Sequence, residues 1–387
     1  MAFTLNASSR FLLIFVAAFL FHSNAAAQIA KIPIPAAPQV SANSYLVMDA
    51  DTGFVVASDN PDKRVAPASL TKLMSAYVIF QYLKAEQISL DETVTVSNKA
   101  YKTPGSRMFI EENSKVSIED LIQGMIVQSG NDASVAMAEH LAGTEGAFAD
   151  LMNNFAAELG MASTNFQNAT GLPADNHYTT ARDIAVLARA IVNEFPEYYA
   201  WYSQREFTYA GIRQENRNKL LKRDSSVDGM KTGHTDAAGY CLVSSAKRSG
   251  MRLIVAMMGS RSPKARVDAS QALLNYGFRF YETKVVYERG AVIKTADIWK
   301  GQADQLSIGT DQRVSLTLPR GRFEELQASI EIPSTLIAPI DSGQVLGQLK
   351  IEHDGKILSQ VRLVALANVA KGGLWKRMTD EVSLWFE

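Results

Sequence analysis

Ser69 and Lys72 stand three residues apart in Ala66-Pro67-Ala68-Ser69-Leu70-Thr71-Lys72-Leu73-Met74, ahead of an apolar run that reads as helix to about Leu83. If the helix opens at Ala68 or Ser69, both side chains share one face, with Ser69 in the first turn. A serine hydroxyl becomes a nucleophile when a neighbour removes its proton, and a lysine does so only as the neutral amine. Lys72 must therefore be desolvated or sit beside another cation, and Lys231 is the one the sequence offers. The helix N-terminus would favour negative charge developing on a substrate there. Ser-x-x-Lys is short and recurs at Ser244 to Lys247, at the end of a strand-like run, so companions must decide.

Two companions exist. Ser129-Gly130-Asn131 falls at a junction between helical patterns, where the glycine permits close approach and polar side chains can face a cleft. Ser129 can pass a proton between a base and a leaving amine, and Asn131 can hold a substrate amide while bonding to a lysine. Lys231-Thr232-Gly233 sits just before or on a strand, with Gly233 leaving room beside the backbone for an incoming peptide. Alone, the first reads more readily as an ordinary interhelical turn, and the second is an equally weak signal. Together, in this order and about 60 and then 100 residues apart, they form a proton-transfer set.

The elements that must position them follow from pattern. Ser44 to Met48 and Phe54 to Ala57 read as a strand pair around Asp49 to Gly53. Ser117 with Asp120 opens a helix that stops near Ser129-Gly130, and Asn131 or Asp132 can cap the next. Phe148 to Leu159 is amphipathic and ends at Gly160, and Thr180 opens a helix through Ile191. The stretch 197–225 is polar with aromatic interruptions. Gly239 to Ser245 and Met251 to Met258 are apolar runs across a short turn, hence neighbouring antiparallel strands. Pro263 starts a further helix, for which Gly277 is the expected end.

From about Tyr281 short alternating apolar runs separated by Gly and Pro turns indicate a second, mainly β domain. After Gly372-Gly373, Leu374, Trp375, Met378, Val382, Trp385 and Phe386 recur at helical spacing among charged residues. Such a helix fits a bilayer interface, the favoured reading, and it also fits docking on its own β domain or on a partner.

At 387 residues and 47% apolar the chain can bury a large core, and a formal net charge of -1 gives no bulk attraction to nucleic acid. Arg10, the apolar run Phe11 to Phe21 and Ala25-Ala26-Ala27 read as a secretory signal, expected to cover 1–27. Cys241, the only cysteine, allows no intramolecular disulfide, and five histidines show no metal-ligand spacing. Neither a metal nor a cofactor is expected.

Ser69-Leu70-Thr71-Lys72, Gln128-Ser129-Gly130-Asn131-Asp132 and Gly229-Met230-Lys231-Thr232-Gly233-His234-Thr235 together resemble the serine penicillin-recognising enzymes. Within that superfamily the chain resembles the low-molecular-mass penicillin-binding proteins that are D-alanyl-D-alanine carboxypeptidases, closely over 40–280 and further through Gly277-Phe278-Arg279-Phe280, the β domain and the tail. The resemblance implies an α+β fold: a β-lactamase/transpeptidase-like domain with an antiparallel sheet flanked by helices over 28–280, a small mainly β domain over 281–370, and an amphipathic anchor helix over 371–387. It implies that Ser69 attacks the carbonyl between two terminal D-alanines of a peptidoglycan stem peptide and that Lys72 takes its proton. Ser129 would protonate the departing D-alanine, Asn131 orient substrate and Lys72, Lys231 tune the charge, and Thr232 and Arg266 meet the terminal carboxylate. Backbone N–H groups of Ser69 and His234 would form the oxyanion hole, beside Gly233. β-Lactams would be covalent inhibitors, and the protein would sit peripherally on the periplasmic side of the bacterial inner membrane.

Three alternatives stand beside this reading. Serine β-lactamases share the first steps, yet those of class A use a glutamate for deacylation, and 160–185 contains none. Endopeptidase action on cross-linked peptidoglycan needs the same chemistry. A non-catalytic wall-binding protein would have no need of Ser69, Lys72, Ser129 and Lys231 together.

Overall fold

The computed structural model describes residues 33–385; the expected signal segment 1–27 and Phe386 lie outside them. A five-stranded antiparallel sheet runs in the order Val55–Asp59, Ser44–Asp49, Met251–Ser260, Gly239–Arg248, Val227–Thr235. Its pleat sends alternate residues to two buried faces. Leu46, Met48, Val243, Ile254 and Ala256 join the core that contains the Ser69 helix. Tyr45, Val47, Leu242, Leu253 and Val255 pack instead on Val267, Leu273, Leu274 and Phe278 of the helix Pro263–Phe280.

The helix Thr71–Lys84 is buried on nearly all sides, which explains why Leu73, Met74, Tyr77, Val78, Ile79 and Phe80 form no single stripe. Each such side chain contributes about 1.5–3 kcal/mol by leaving water, so the helix is the fixed post of the domain. Ala68–Leu70 precede it as a single 3-10 turn, and Ser69 therefore sits just ahead of the α-helix proper. Ser117 and Thr180 cap their helices as expected, accepting from Asp120 N and Asp183 N, both at 3.1 Å.

Two local expectations are corrected. Neither Asn131 nor Asp132 caps the helix Asn131–Ala142, whose N-cap is Gly130. The Asp132 carboxyl turns away to accept from the backbone of Met108, Phe109 and Ile110. The helix from Pro263 also runs through Gly277 to Phe280. A Cβ on Gly277 would lie 2.5 Å from Leu253 Cδ1, so glycine here permits close helix-to-sheet packing rather than termination.

Beyond Phe280 the chain becomes strand-rich, with a six-stranded sheet and the pair Tyr281–Tyr287 and Val314–Pro319. The two parts meet at buried Asp49, which accepts from Thr283 Oγ1 at 2.7 Å, while Thr52 Oγ1 lies 2.6 Å from Thr317 Oγ1. The last helix, Leu374–Ser383, docks on the β domain by its polar face: buried Asp380 accepts from Lys300 N at 2.6 Å and pairs with Lys376 at 3.1 Å. Leu374, Trp375, Met378, Val382 and Trp385 face outward, each at least 60% exposed. Among the described residues no helix is long and apolar enough to cross a membrane.

Candidate active site

Packing brings the three motifs together. The 3-10 turn supplies Ser69, and the first turn of the following helix supplies Lys72, buried, with Nζ 3.2 Å from Ser69 Oγ. Lys72 Nζ also donates to Asn131 Oδ1 and to Thr170 O, each at 2.6 Å. A neutral amine has two N–H groups and one lone pair, so these two acceptors leave the lone pair for the Ser69 hydroxyl proton. Burial, then the Arg217 guanidinium, pushes the Lys72 amine down to about 7, against the opposing pull of Asp132 and Glu145.

Ser129 follows the single π turn Gly124–Gln128 and adopts a left-handed conformation, φ +67° and ψ +37°. That backbone costs a non-glycine residue about 1–2 kcal/mol, and such turns recur where a side chain must be aimed. Lys231 Nζ donates to Ser129 Oγ at 2.8 Å and to Thr232 O at 3.0 Å. Lys231 is buried too, and its amine is held well below the ordinary lysine range by burial first, then by Lys72, Arg217 and Arg266. Two adjacent buried amines cannot both hold charge cheaply, so the pair as a whole is driven toward neutrality.

Between these groups opens a cleft of about 620 Å³ bordered by Ser69, Ser129, Thr232, Gly233, His234 and Arg266, with Arg217, Lys219 and Tyr240 completing one side. Its described lining carries three cationic side chains, Arg217, Lys219 and Arg266, and no carboxylate, which suits an anionic group. Lys72, Asn131 and Lys231 stand behind this wall, in contact through the hydrogen bonds given above. Arg266 lies on the helix Pro263–Phe280, donates weakly to Gly233 O and Cys241 O at 3.3 and 3.4 Å, and keeps a buried Nε without a partner. His234 is exposed and its ring stacks on Tyr240 at 4.0 Å.

This assembly of a hydroxyl, a near-neutral amine, a second hydroxyl on a second buried lysine and a cationic cleft is built for acyl transfer to serine. Residues 31–262 match the family model described as D-alanyl-D-alanine carboxypeptidase, and 281–371 match the penicillin-binding protein 5 C-terminal domain. The chain belongs to the D-alanyl-D-alanine carboxypeptidase family. It is 43% identical over 364 residues to D-alanyl-D-alanine carboxypeptidase DacA of Escherichia coli K12, covering 92% of this chain and 90% of that one. It is 41% identical to DacC of the same organism over 90% of each chain. The crystal structure of penicillin-binding protein 5 from Haemophilus influenzae superposes with a TM-score of 0.81 at 39% identity, covering 87% of this chain and 100% of that one. Penicillin-binding protein D2 of Listeria monocytogenes, solved in its ampicillin-bound form, gives 0.58 at 31% identity over 62% of this chain and 100% of that one. The α+β architecture with its β-rich C-terminal domain is that of this family.

One feature of this carboxypeptidase, the space at Gly233, differs from the sequence reading, and two, at Arg217 and Asn131, extend it. Beside Lys231, which is coupled to Lys72 as expected, a second cation bears on Lys72: Arg217, from the polar stretch 197–225. Arg217 Nε donates to Gln128 O at 3.0 Å, which holds it beside the Ser129 turn. No motif flags it; only its placement after the hairpin Glu206–Tyr209 and Ile212–Glu215 does. Gly233 edges the cleft, but the space a side chain would need is occupied: a Cβ there would lie 3.3 Å from Ala68 Cβ, Leu70 Cγ and Pro67 O. Its bareness admits the turn Ala68–Leu70. Asn131 is engaged twice, because Nδ2 donates to Pro104 O at 2.6 Å.

A glutamate does approach the site, from outside 160–185. Glu145 accepts from Ala169 N at 3.2 Å and pairs with Lys99 at 2.8 Å. A second cavity of about 650 Å³, around Glu331, Val345 and Arg362, lies in the β domain away from Ser69. The one grouping of metal-capable side chains among the described residues, Glu325, His353 and Asp354, is there as well, with His353 Nε2 3.0 Å from Glu325.

Proposed function

We propose that the protein removes the terminal D-alanine from peptidoglycan stem pentapeptides through an acyl-enzyme on Ser69. The observation that carries this reading is the buried Lys72 amine, near neutral and 3.2 Å from the Ser69 hydroxyl. Lys72 takes the hydroxyl proton as Ser69 attacks the penultimate carbonyl. Backbone N–H groups of Ser69 and His234 receive the developing oxyanion, a contribution of several kcal/mol in comparable acyl-transfer sites. Ser129, bonded to Lys231, hands a proton to the departing D-alanine amine. Thr232, with Arg266 behind it, meets the terminal carboxylate at the cationic end of the cleft. Val227–Thr235 is the outer strand of its sheet, so a peptide can align beside it. Water then cleaves the acyl-enzyme, with Lys72 as the base.

β-Lactams enter the same cleft and acylate the same oxygen. The outward apolar face of Leu374–Ser383, ending in Trp385, rests in the headgroup region of a bilayer. The protein is a peripheral protein on the periplasmic side of the inner membrane, delivered there by the signal in 1–27. Incubation with a penicillin followed by intact-protein and peptide mass spectrometry tests the first part: one penicilloyl adduct on the Ser69 peptide is expected, with D-alanine released from a D-alanyl-D-alanine pentapeptide in a parallel assay. A folded, signal-free protein that forms no adduct refutes the nucleophile. Removal of 371–387 is expected to abolish co-sedimentation with anionic vesicles while peptide cleavage persists, and continued sedimentation refutes the anchor.

A further inference from the structure

The loop 166–178 contributes one atom to the chemistry above, the Thr170 carbonyl, and the rest of it is unassigned. Asn168 Oδ1 accepts from Thr170 N at 3.1 Å, Thr170 Oγ1 at 3.0 Å and Gly171 N at 2.7 Å. Those donors fix the orientation of the amide. Asn168 Nδ2 therefore donates, to Leu172 O at 3.0 Å and to His177 Nδ1 at 3.3 Å. An accepting Nδ1 puts the ring proton on Nε2, which lies 3.1 Å from Thr71 Oγ1, the residue before Lys72. Burial holds the imidazole down to about 4, so it stays neutral, and its ring stands edge-on to Phe166 at 6.0 Å.

The contacts close into a ring: Lys72 Nζ to Thr170 O, Thr170 to Asn168, Asn168 to His177, His177 to Thr71, and Thr71 back along the chain to Lys72. A neutral amine rotates about its Cε–Nζ bond unless both N–H groups are held. Asn131 Oδ1 holds one from a helix, and Thr170 O holds the other from a loop that would otherwise be free to shift. The same loop presses on the nucleophile turn at Gly171.

We propose that Asn168 and His177 are positioning residues for acyl transfer, clamping the Thr170 carbonyl so that the Lys72 lone pair stays aimed at Ser69. The proposal rests on Lys72 as the base for Ser69. Neither residue touches substrate. Loosening the clamp also admits water to an amine whose depressed basicity comes chiefly from burial, so the amine regains basicity. Arg217, Asp132 and Glu145 act on the Lys72 amine, and Lys72, Arg217 and Arg266 on that of Lys231; all are left in place by the substitutions below.

The test is the pH profile of penicillin acylation for the signal-free protein and for Asn168→Ala, His177→Ala, His177→Phe and His177→Gln, with folding checked by circular dichroism. Acylation at pH 7 is expected to fall about 10- to 100-fold in the Ala and Phe variants, as for a misplaced catalytic group, and the acid limb to move to higher pH. The Gln variant, whose side-chain amide can still donate to Thr71, should recover part of the loss. If His177→Phe acylates like the parent while His177→Ala does not, the ring only fills space and the proposal fails. Parental profiles in all variants also overturn it. Should the His177 variants not fold, Thr71→Val removes the same anchor, and an unmoved profile there is equally fatal. A parent protein that is never acylated refutes the role of Lys72 instead.

Discussion

Asn131 Oδ1 accepts from Lys72 Nζ at 2.6 Å across 59 positions of chain, and the same side chain donates from Nδ2 to Pro104 O at 2.6 Å. One amide thus ties the helix Thr71–Lys84 to the loop at the mouth of the cleft. Gly105 makes this possible: with φ +91°, it would place a Cβ 2.7 Å from Asn131 Nδ2. The electrostatics of the site follow from this enclosure, since the tethered amine is buried away from bulk solvent, which disfavours its charged form.

Under the proposed mechanism Lys72 sets the pH dependence of acylation. Its amine must be neutral to act, and it is held near 7 against an ordinary 10.5, so acylation should rise with pH through about 7. Linkage gives the stability sign. Between the folded value near 7 and the unfolded value the unfolded chain binds more protons, so stability rises with pH across that window, and the penalty of burial is fully present below it. Denaturant titrations at pH 6, 8 and 9 check this. Lys72→Ala should lower acylation roughly 100- to 10,000-fold with the fold retained.

Arg217→Gln removes the cation that, after burial, most depresses the Lys72 amine. The acid limb of acylation should move to higher pH. The melting temperature should change little, because Arg217 makes one side-chain bond, to Gln128 O. A limb that stays in place would assign Arg217 to substrate binding alone.

Gly171→Ala should be among the most damaging single substitutions. Gly171 has φ +84°, and a Cβ there would lie 1.8 Å from Ala68 O, in the turn that carries Ser69. The overlap involves backbone on both sides and cannot be relieved by a rotamer. A loss of more than about 3 kcal/mol is expected, together with loss of acylation, measurable by chemical denaturation and penicillin binding.

Asp132→Asn should destabilise although it preserves size. The Asp132 carboxyl accepts from the backbone N–H groups of Met108 and Ala133 at Oδ1 and of Phe109 and Ile110 at Oδ2. An amide would turn its NH2 toward two of these donors. Leaving buried N–H groups unanswered costs about 1–3 kcal/mol each, visible as a lower denaturation midpoint.

Asp380→Ala should release the C-terminal helix from Lys300 without altering the peptidase domain. Limited proteolysis near Gly372-Gly373 should accelerate, while hydrolysis of a soluble peptide stays unchanged. Unaltered proteolysis would mean that the Gly301 to Lys371 bridge and the Lys376 pair with Asp304 suffice to hold it.

The three motifs, their order, most helix and strand positions, the change to β structure near Tyr281 and the amphipathic tail are all legible in the order of residues. Those features are local: they depend on side-chain type and on periodicities of two or 3.6 residues. The sequence also posed the tail as either membrane-facing or docked, and the fold shows docking through Asp380 with the apolar face left outward. What only tertiary structure decided is non-local. Arg217 reaches the site because a hairpin ends beside Gln128, Gly233 is bare because the Ser69 turn fills the space, and Gly277 stays helical because Leu253 lies against it. The basicity of Lys72 belongs to this class too, since it depends on how much water the whole fold excludes from one amine, and no pattern of neighbours along the chain encodes that.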